Sequence, residues 1–586
     1  MIYFIYSSSN FGIDFTDEGY YINWISKPYL YQFSTSQFGY IYHPLFLLSG
    51  RDIGNLRQFN LAITYLLALI LCILVLSKSK QIQENQRVFI FIVASAISTS
   101  SFSCLIFFGE WLNSPSYNTL TFQSLMITMI GILIMASDKL LKAYFGQLIL
   151  SFGISITFMA KPTSAVILII VLFLYFRLLN RSKIITELII FLQVSLILIL
   201  LAYLIDASIL KFFRRLRLGF ELSQKTDSGH SFSDLFRLDM INLEHKTLIL
   251  SLVTGLSLYI LTLAVKKKLQ NINFLLLFLT VSNFLFVIIL LGSYSAFDYK
   301  IDSIVVQQVL VLGSSIFFVS LFIFKKVTLH SNVPKDTLYQ ALLLILFPYI
   351  YSFGTNNNYL IHGLSTLFFW ILAILMVFMF AINRFLSWLI LIPFIIIVQM
   401  FTTLQLYSGF EKPYRQPQPL RENQVKVQIG VTESQLILPE SYGKYFKEVR
   451  EIVNSGKFRR GKSIIDLTGQ SPLTLFSLDA DPIGGAWLVG GYPGSNEAVF
   501  ESLKLIDCKK LSESWILLEL DGPRAISTKF LTKVGLNFPQ GYMLQGTWST
   551  PENSSGWTSS RQQTIYEPFD SIENYKYCNA VRFKVE

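Results

Sequence analysis

A polytopic α-helical membrane protein with an α/β domain at its carboxyl end is the fold class this sequence predicts, on two observations. Apolar runs of about 18 to 22 residues recur between Leu56 and Leu406, each long enough to cross a hydrocarbon layer of roughly 30 Å. After Leu406 that pattern stops. The stretch "YSGFEKPYRQPQPLRENQ", rich in Pro and Gln, then leads into a segment of mixed polarity that ends at Glu586. Composition agrees, because 52% of the 586 residues are hydrophobic and only 15% are charged, whereas a soluble domain is about a quarter charged.

The apolar runs place spans at 57–77, 88–108, 120–137, 144–160, 163–179, 184–204, 247–265, 272–291, 303–324, 338–352, 361–382 and 385–406. A further apolar segment, Met1 to Ile13, is too short to cross alone, so the expected number of spans is about 12 to 13. No basic region or small-residue cleavage site opens the chain, so no cleaved leader is expected. Lys and Arg then orient the spans, because cytoplasmic loops carry the excess of basic residues. "SKSKQIQENQR", "DKLLK", "RLLNRSK", "KKKLQN" and "KKVTLHSNVPK" are read as cytoplasmic. The opposite loops, and the tail after Tyr407, are expected on the extracytoplasmic face of an inner (plasma) membrane. The net charge of +11 is therefore mostly an orientation signal. No basic segment has the aromatic interleaving of a single-strand binder, so no nucleic-acid partner is expected.

Two domains follow: 1–407, with the spans and outer loops, and 408–586, a soluble extracytoplasmic domain. In the second, "GKSIIDLTG", "AWLVGGY" and "SWILLEL" read as buried strands, with a helix in "NEAVFESLKLI" between the last two. "GGAWLVGGYPGS" fits neither a dinucleotide fingerprint nor a P-loop and reads as a turn cluster. Cys72 and Cys104 lie within spans. Cys508 and Cys578 share the outer domain, where an oxidising compartment permits a bridge; two free thiols are the alternative.

Chemistry-bearing residues gather in the outward loops. The first has Asp14, Asp17, Glu18, His43, Arg51, Asp52 and Arg57. The second has Glu110 and Tyr117, and the third has Lys161. A longer one has "KFFRRLR", Asp227 and His230, and a later one has Asn356, Asn357 and Asn358. Carboxylates there can act as general bases, and cations there suit phosphate. Both beside lipid fit a lipid-linked phosphate whose head group reacts at the outer surface. Each residue also has a plainer reading. Asp17 and Glu18 can be solvated interfacial charges. Lys161 can punctuate two spans before Pro162, and His43 can pack within "YIYHPLF". The Asn run can cap a span or bind a sugar. "KFFRRLR" can contact lipid headgroups or form the charged face of a helix lying in the membrane interface.

The motif "DFTDEGYY", after a first hydrophobic segment and before a long outer loop, resembles the opening of the glycosyltransferase-C superfamily, which includes protein O-mannosyltransferases and the aminoarabinose transferases of lipid A. The many spans and the carboxyl-terminal outer domain extend the likeness over the whole architecture. The resemblance implies an inverting glycosyltransferase that moves a sugar from a polyprenyl-phosphate donor to a glycan, lipid or protein acceptor. Its first-loop acid maps to Asp17, as the base, with Glu18 beside it. A second-loop acid maps to Glu110. Lys161 is placed near the donor phosphate, and His43, Arg51, Arg57, Asn356, Asn357 and Asn358 are further substrate-binding candidates. No cofactor is certain, and a divalent metal is compatible although no metal motif is present. A surface-polysaccharide ligase or polymerase, and a non-enzymatic transporter of lipid-linked sugars, are the competing expectations.

Overall fold

The computed structural model describes residues 2–77, 86–104, 111–179, 184–226, 248, 251–252, 255, 334–355, 359–381, 391–430 and 434–583. These residues are mostly helical, followed by a carboxyl-terminal α/β region. Four described helices are long and apolar enough to cross a membrane by length and composition: Ile53–Leu76, Tyr117–Met135, Leu140–Ala160 and Ile184–Asp206. Side-chain caps mark where two of them begin. Asp52 accepts a hydrogen bond from the Asn55 amide, and Ser116 accepts one from the Thr119 amide, each satisfying a first-turn donor. Tyr117–Met135 and Leu140–Ala160 pack closely through Gly131, Gly146 and Gly153, where a Cβ would meet the facing backbone. Small residues of this kind bring membrane helices together. On Ile184–Asp206, Phe191, Leu192, Leu196, Leu200 and Leu204 are exposed, an apolar face that suits lipid rather than water.

The other expected spans take several forms. Residues 163–179 form Pro162–Leu179, and 338–352 form Lys335–Ser352. The 88–108 segment is helical as Gln86–Ser101 and ends in a 3-10 turn, Phe102–Cys104. The 385–406 segment is described as Leu391–Glu411. The 361–382 segment is broken, with Tyr359–Gly363, a 3-10 turn at Leu364–Thr366, and then Phe368–Ala381. At the start only Ile2–Ser7 is helical before the first outer loop. The spans expected at 272–291 and 303–324, and nearly all of 247–265, lie outside the described residues, as do Glu110, Asn356, Asn357 and Asn358.

The loop that follows Ile2–Ser7 is built into the carboxyl-terminal domain. Ile13, Phe15, Ile22, Trp24 and Phe38 share one buried cluster with Leu436, Tyr442, Phe446, Leu473 and Trp515. Phe15 stacks on Phe446 at 5.5 Å between ring centroids. The Ile437 amide donates to the Asn10 carbonyl at 2.8 Å and the Leu473 amide to the Phe15 carbonyl at 3.2 Å. The helix Asp17–Ser26 lies against Pro472–Ser477. A Cβ at Gly19 would overlap the Leu473 backbone, so the glycine of "TDEGYY" permits that approach.

Seven described strands complete the carboxyl-terminal domain. β1 (Val425–Gln428) and β2 (Gln435–Leu438) pair antiparallel. The other five are β3 (Ser463–Asp466), β4 (Asp481–Pro482), β5 (Trp515–Leu518), β6 (Tyr542–Ser549) and β7 (Gln562–Pro568), in the order β4-β3-β5-β7-β6. β3 runs parallel to β4 and β5, and β7 runs antiparallel to β5 and β6. "GKSIIDLTG" and "SWILLEL" are therefore the strands expected, and Ser495–Lys504 is the expected helix. "AWLVGGY" is not a strand. It is irregular backbone with Gly491 at φ +88°, and Gly484 just before it is at φ +82°.

Cys508 and Cys578 are bridged across a separation of 70 residues. In the chain-entropy account a loop that long constrains the unfolded state by about 4 kcal/mol. Intact-mass measurement after alkylation of the unreduced, denatured protein is expected to find neither thiol of this pair modified. Replacing both by Ser is expected to lower the melting temperature. Two alkylated outer-domain thiols in the unreduced chain would contradict the pairing.

Candidate functional site

The site is built at the amino end of the helix Asp17–Ser26, where first loop, linker and outer domain meet. Three acids stand within five residues there, and packing gives each a different role. Glu18 is fully buried. It pairs with Arg57 Nη2 through both carboxylate oxygens, at 3.0 and 3.1 Å, and accepts the amides of Asp14 and Ser114 at 3.0 and 3.1 Å. Arg57 spends its remaining donors on the Ser9, Phe11 and Gly12 carbonyls and on Ser114 Oγ. Both side chains are saturated within the fold. Glu18 as a catalytic neighbour and Arg57 as a substrate ligand are thereby replaced by a structural ion pair.

Asp14 is also sealed. Its Oδ2 accepts the Asp17 amide at 2.6 Å, the Thr16 amide at 3.1 Å and Thr16 Oγ1 at 2.7 Å, gathering the first turn of the helix. Its Oδ1 has no partner among the described residues. Burial, with the nearby Asp17 charge, pushes its pKa up to about 7.

Asp17 alone of the three keeps access to solvent, with a quarter of its side chain exposed and Oδ2 3.2 Å from Arg415 Nη1. Burial raises its pKa, and Arg415, Tyr414 and Arg524 pull it back. Arg415, at φ +52°, also donates to Thr16 Oγ1 at 2.7 Å and lies over the Tyr414 ring at 4.5 Å. Arg524 arrives from the loop after β5. Its carbonyl lies where a Cβ of Gly469 or Gly490 would be. That approach explains the glycines of "LVGGY": they let the outer domain's loops close around the helix end. Trp487, from the same irregular stretch, donates Nε1 to the Gly469 carbonyl at 3.0 Å.

Lys161 sits in the turn between Leu140–Ala160 and Pro162–Leu179. It is buried, donates to the Tyr351 carbonyl at 3.0 Å, and lies 5.1 Å from the Tyr351 ring and 5.6 Å from the Tyr117 ring. No carboxylate pairs with it among the described residues. Burial lowers its pKa to about 7. Tyr117 links the two charged groups, because its phenol feels the Asp17 charge while its ring faces Lys161.

The other candidates sit apart from this cluster. His43 Nδ1 lies 2.8 Å from the Ile25 carbonyl, tying the helix Phe38–Leu48 to Asp17–Ser26. Arg51 is exposed in the turn before Asp52, at φ +60°. The "KFFRRLR" stretch is the helix Ile209–Lys225. Its Arg215 is buried, pairs with Asp206 and donates to Tyr40 OH and the Tyr31 carbonyl. Leu210, Phe213 and Phe220 remain exposed. Among the described residues no three His, Cys, Asp or Glu side chains come together as a metal-binding group. Arg415, Tyr414, Arg524 and Trp487 were not singled out from the sequence. "EKPYRQPQP" reads as linker, and only the fold brings it back to Asp17.

Comparison with protein-family models, with curated proteins and with solved structures finds no match.

Two of these groups give the protein a distinctive pH response. Asp14 takes up its proton near pH 7 when folded, against a reference of 3.8. Between those values the folded chain holds more protons than the unfolded one, so stability falls as pH rises. Lys161 titrates near 7 when folded, against 10.5, so between those values the unfolded chain holds more protons and stability rises with pH. Melting temperatures taken from pH 5 to 9 are expected to pass through a minimum near neutrality. Asp14→Asn should flatten the acid limb and Lys161→Met the alkaline one. A maximum at neutral pH would contradict the assignment.

Proposed function

We propose that this chain is a membrane glycosyltransferase that uses a polyprenyl-phosphate sugar as donor, with Asp17 as the base. One observation carries the reading: of the acids Asp14, Asp17 and Glu18, only Asp17 is partly open, and cations from the linker and the outer domain converge on it. An acid whose pKa is raised by burial and held in range by neighbouring cations suits proton transfer. Lys161, an unpaired buried cation among the described residues, supplies a point charge for a phosphate. The resemblance of "DFTDEGYY" to the glycosyltransferase-C opening, and the four apolar helices, favour a donor anchored in lipid.

In the proposed step the acceptor hydroxyl attacks the anomeric carbon. A bond forms from the acceptor oxygen as the bond from that carbon to the phosphate oxygen breaks. The hydroxyl proton passes to Asp17, and the electron pair leaves with polyprenyl phosphate. Lys161 steadies the departing charge, and Arg415 holds Asp17 in place and keeps part of its population ionised. A displacement of this kind inverts the anomeric centre.

Analysis of cell-envelope glycans tests the reading. A deletion strain should lack a glycan, or a substituent on one, that returns with the intact gene and does not return with the Asp17→Asn variant. An unchanged envelope, or full restoration by Asp17→Asn, would count against it.

A further inference from the structure

A cavity of about 260 Å³ has Tyr20, three residues after Asp17 on the same helix, in its wall. Three elements wall it: the aromatic start of the first outer loop, the basic helix Ile209–Lys225, and the Gly484–Val489 stretch with the following helix. Ligand pockets run from roughly 300 to 1,000 Å³, and this one lies just below the small end of that range. Among the described residues its lining contains no Asp, Glu, Lys, Arg or His, so none of them neutralises a phosphate or a carboxylate. It offers ring faces instead. Tyr20 and Trp487 stand 6.1 Å apart, and Trp24 lies 4.4 Å from Tyr31. Around them are the hydroxyls of Ser34, Thr35, Ser223, Thr226 and Ser502. Trp24 Nε1 is buried with no acceptor among the described residues.

We infer that this cavity is a subsite for a neutral saccharide, the acceptor glycan of the transfer, with Trp487 and Tyr20 stacking on its ring. This rests on the transferase reading and narrows its acceptor to a glycan. A pyranose has apolar C–H faces that suit aromatic rings and equatorial hydroxyls that suit Ser and Thr, with no charge to neutralise. The position fits as well. Tyr20 is the shared wall, its ring against Trp487 and its phenol within the field of Asp17. The cavity and the base therefore share the first turn of the helix Asp17–Ser26. The Trp487 ring is held for this by its hydrogen bond to the Gly469 carbonyl. The basic helix meets the outer domain at the same rim, where Lys225 pairs with Glu497 and the Gly494 amide donates to the Thr226 carbonyl.

The test is direct binding, so it does not depend on turnover. Full-length protein in lipid nanodiscs would be titrated with the methyl glycosides of glucose, galactose, mannose and N-acetylglucosamine, followed by saturation-transfer NMR and calorimetry. Farnesol would serve as a probe for chain binding. At least one glycoside is expected to bind saturably. Ala498→Trp and Ser223→Trp, which fill the cavity from two different helices, should abolish binding, and Trp487→Ala should weaken it about tenfold. Asp17→Asn should leave it unchanged, because the base is not a wall of the cavity. Glycoside binding without any transfer would count against the transferase and leave the subsite standing. The inference is overturned if no glycoside binds. It is also overturned if binding survives both filling variants in protein that melts normally, or if Trp487→Ala leaves the affinity unchanged should those variants fail to fold. Farnesol as the ligand they displace would make the cavity a lipid-chain site.

Discussion

Asp17→Asn is expected to lower transfer by about 10² to 10⁴, the usual worth of general-base assistance, with protein level and melting temperature near normal. The amide is isosteric and can still accept a hydrogen bond from Arg415 Nη1, now 3.2 Å from the carboxylate, so the helix end should keep its packing. What it loses is the ability to take a proton. Lys161→Ala should behave differently. It removes the charge opposite the phosphate and should raise KM for the donor more than it lowers kcat. Measuring both variants on the same donor separates the roles. Near-normal turnover in Asp17→Asn would mean that the exposed acid is interfacial decoration.

The second large effect is on folding. Glu18→Gln leaves the Arg57 guanidinium, whose side chain is 1% exposed, without its counter-charge. Removing one partner of a buried pair typically costs about 3 to 5 kcal/mol. The variant should therefore express poorly or unfold early in a thermal or detergent series. Glu18→Gln combined with Arg57→Met should regain part of that loss, because no charge then stays buried alone. The contrast between adjacent residues is the informative result: Asp17→Asn inactive and stable, Glu18→Gln unstable. A Glu18→Gln protein that melts like the wild type would contradict the ion pair.

That contrast marks where sequence reasoning stops. The pattern of "DFTDEGYY" locates the acids, and hydropathy locates four helices that meet the length and composition for a membrane crossing. Which acid stays open depends on partners far along the chain. Arg57 lies 39 residues beyond Glu18, and Arg415 lies 398 beyond Asp17. Local spacing carries no trace of either. Gly490 reads as part of a turn cluster, yet it serves close backbone approach within the carboxyl-terminal domain, as Gly19 does between the first loop and that domain. "AWLVGGY" reads as a strand from its apolar content, but positive-φ glycines and the Arg524 loop hold it irregular. β3 and β5 were legible because buried parallel strands are short unbroken apolar runs. β7 alternates between buried and more open positions along a mostly polar sequence and β6 is irregular in burial, so neither forms such a run.

A structure of the full-length protein in nanodiscs with a polyprenyl-phosphate sugar bound is the most direct test of the central claim. The account predicts the anomeric carbon beside the Asp17 carboxylate, the phosphate against Lys161, and the prenyl chain along the apolar helices. A head group bound elsewhere, with Asp17 and Lys161 both untouched, would contradict it.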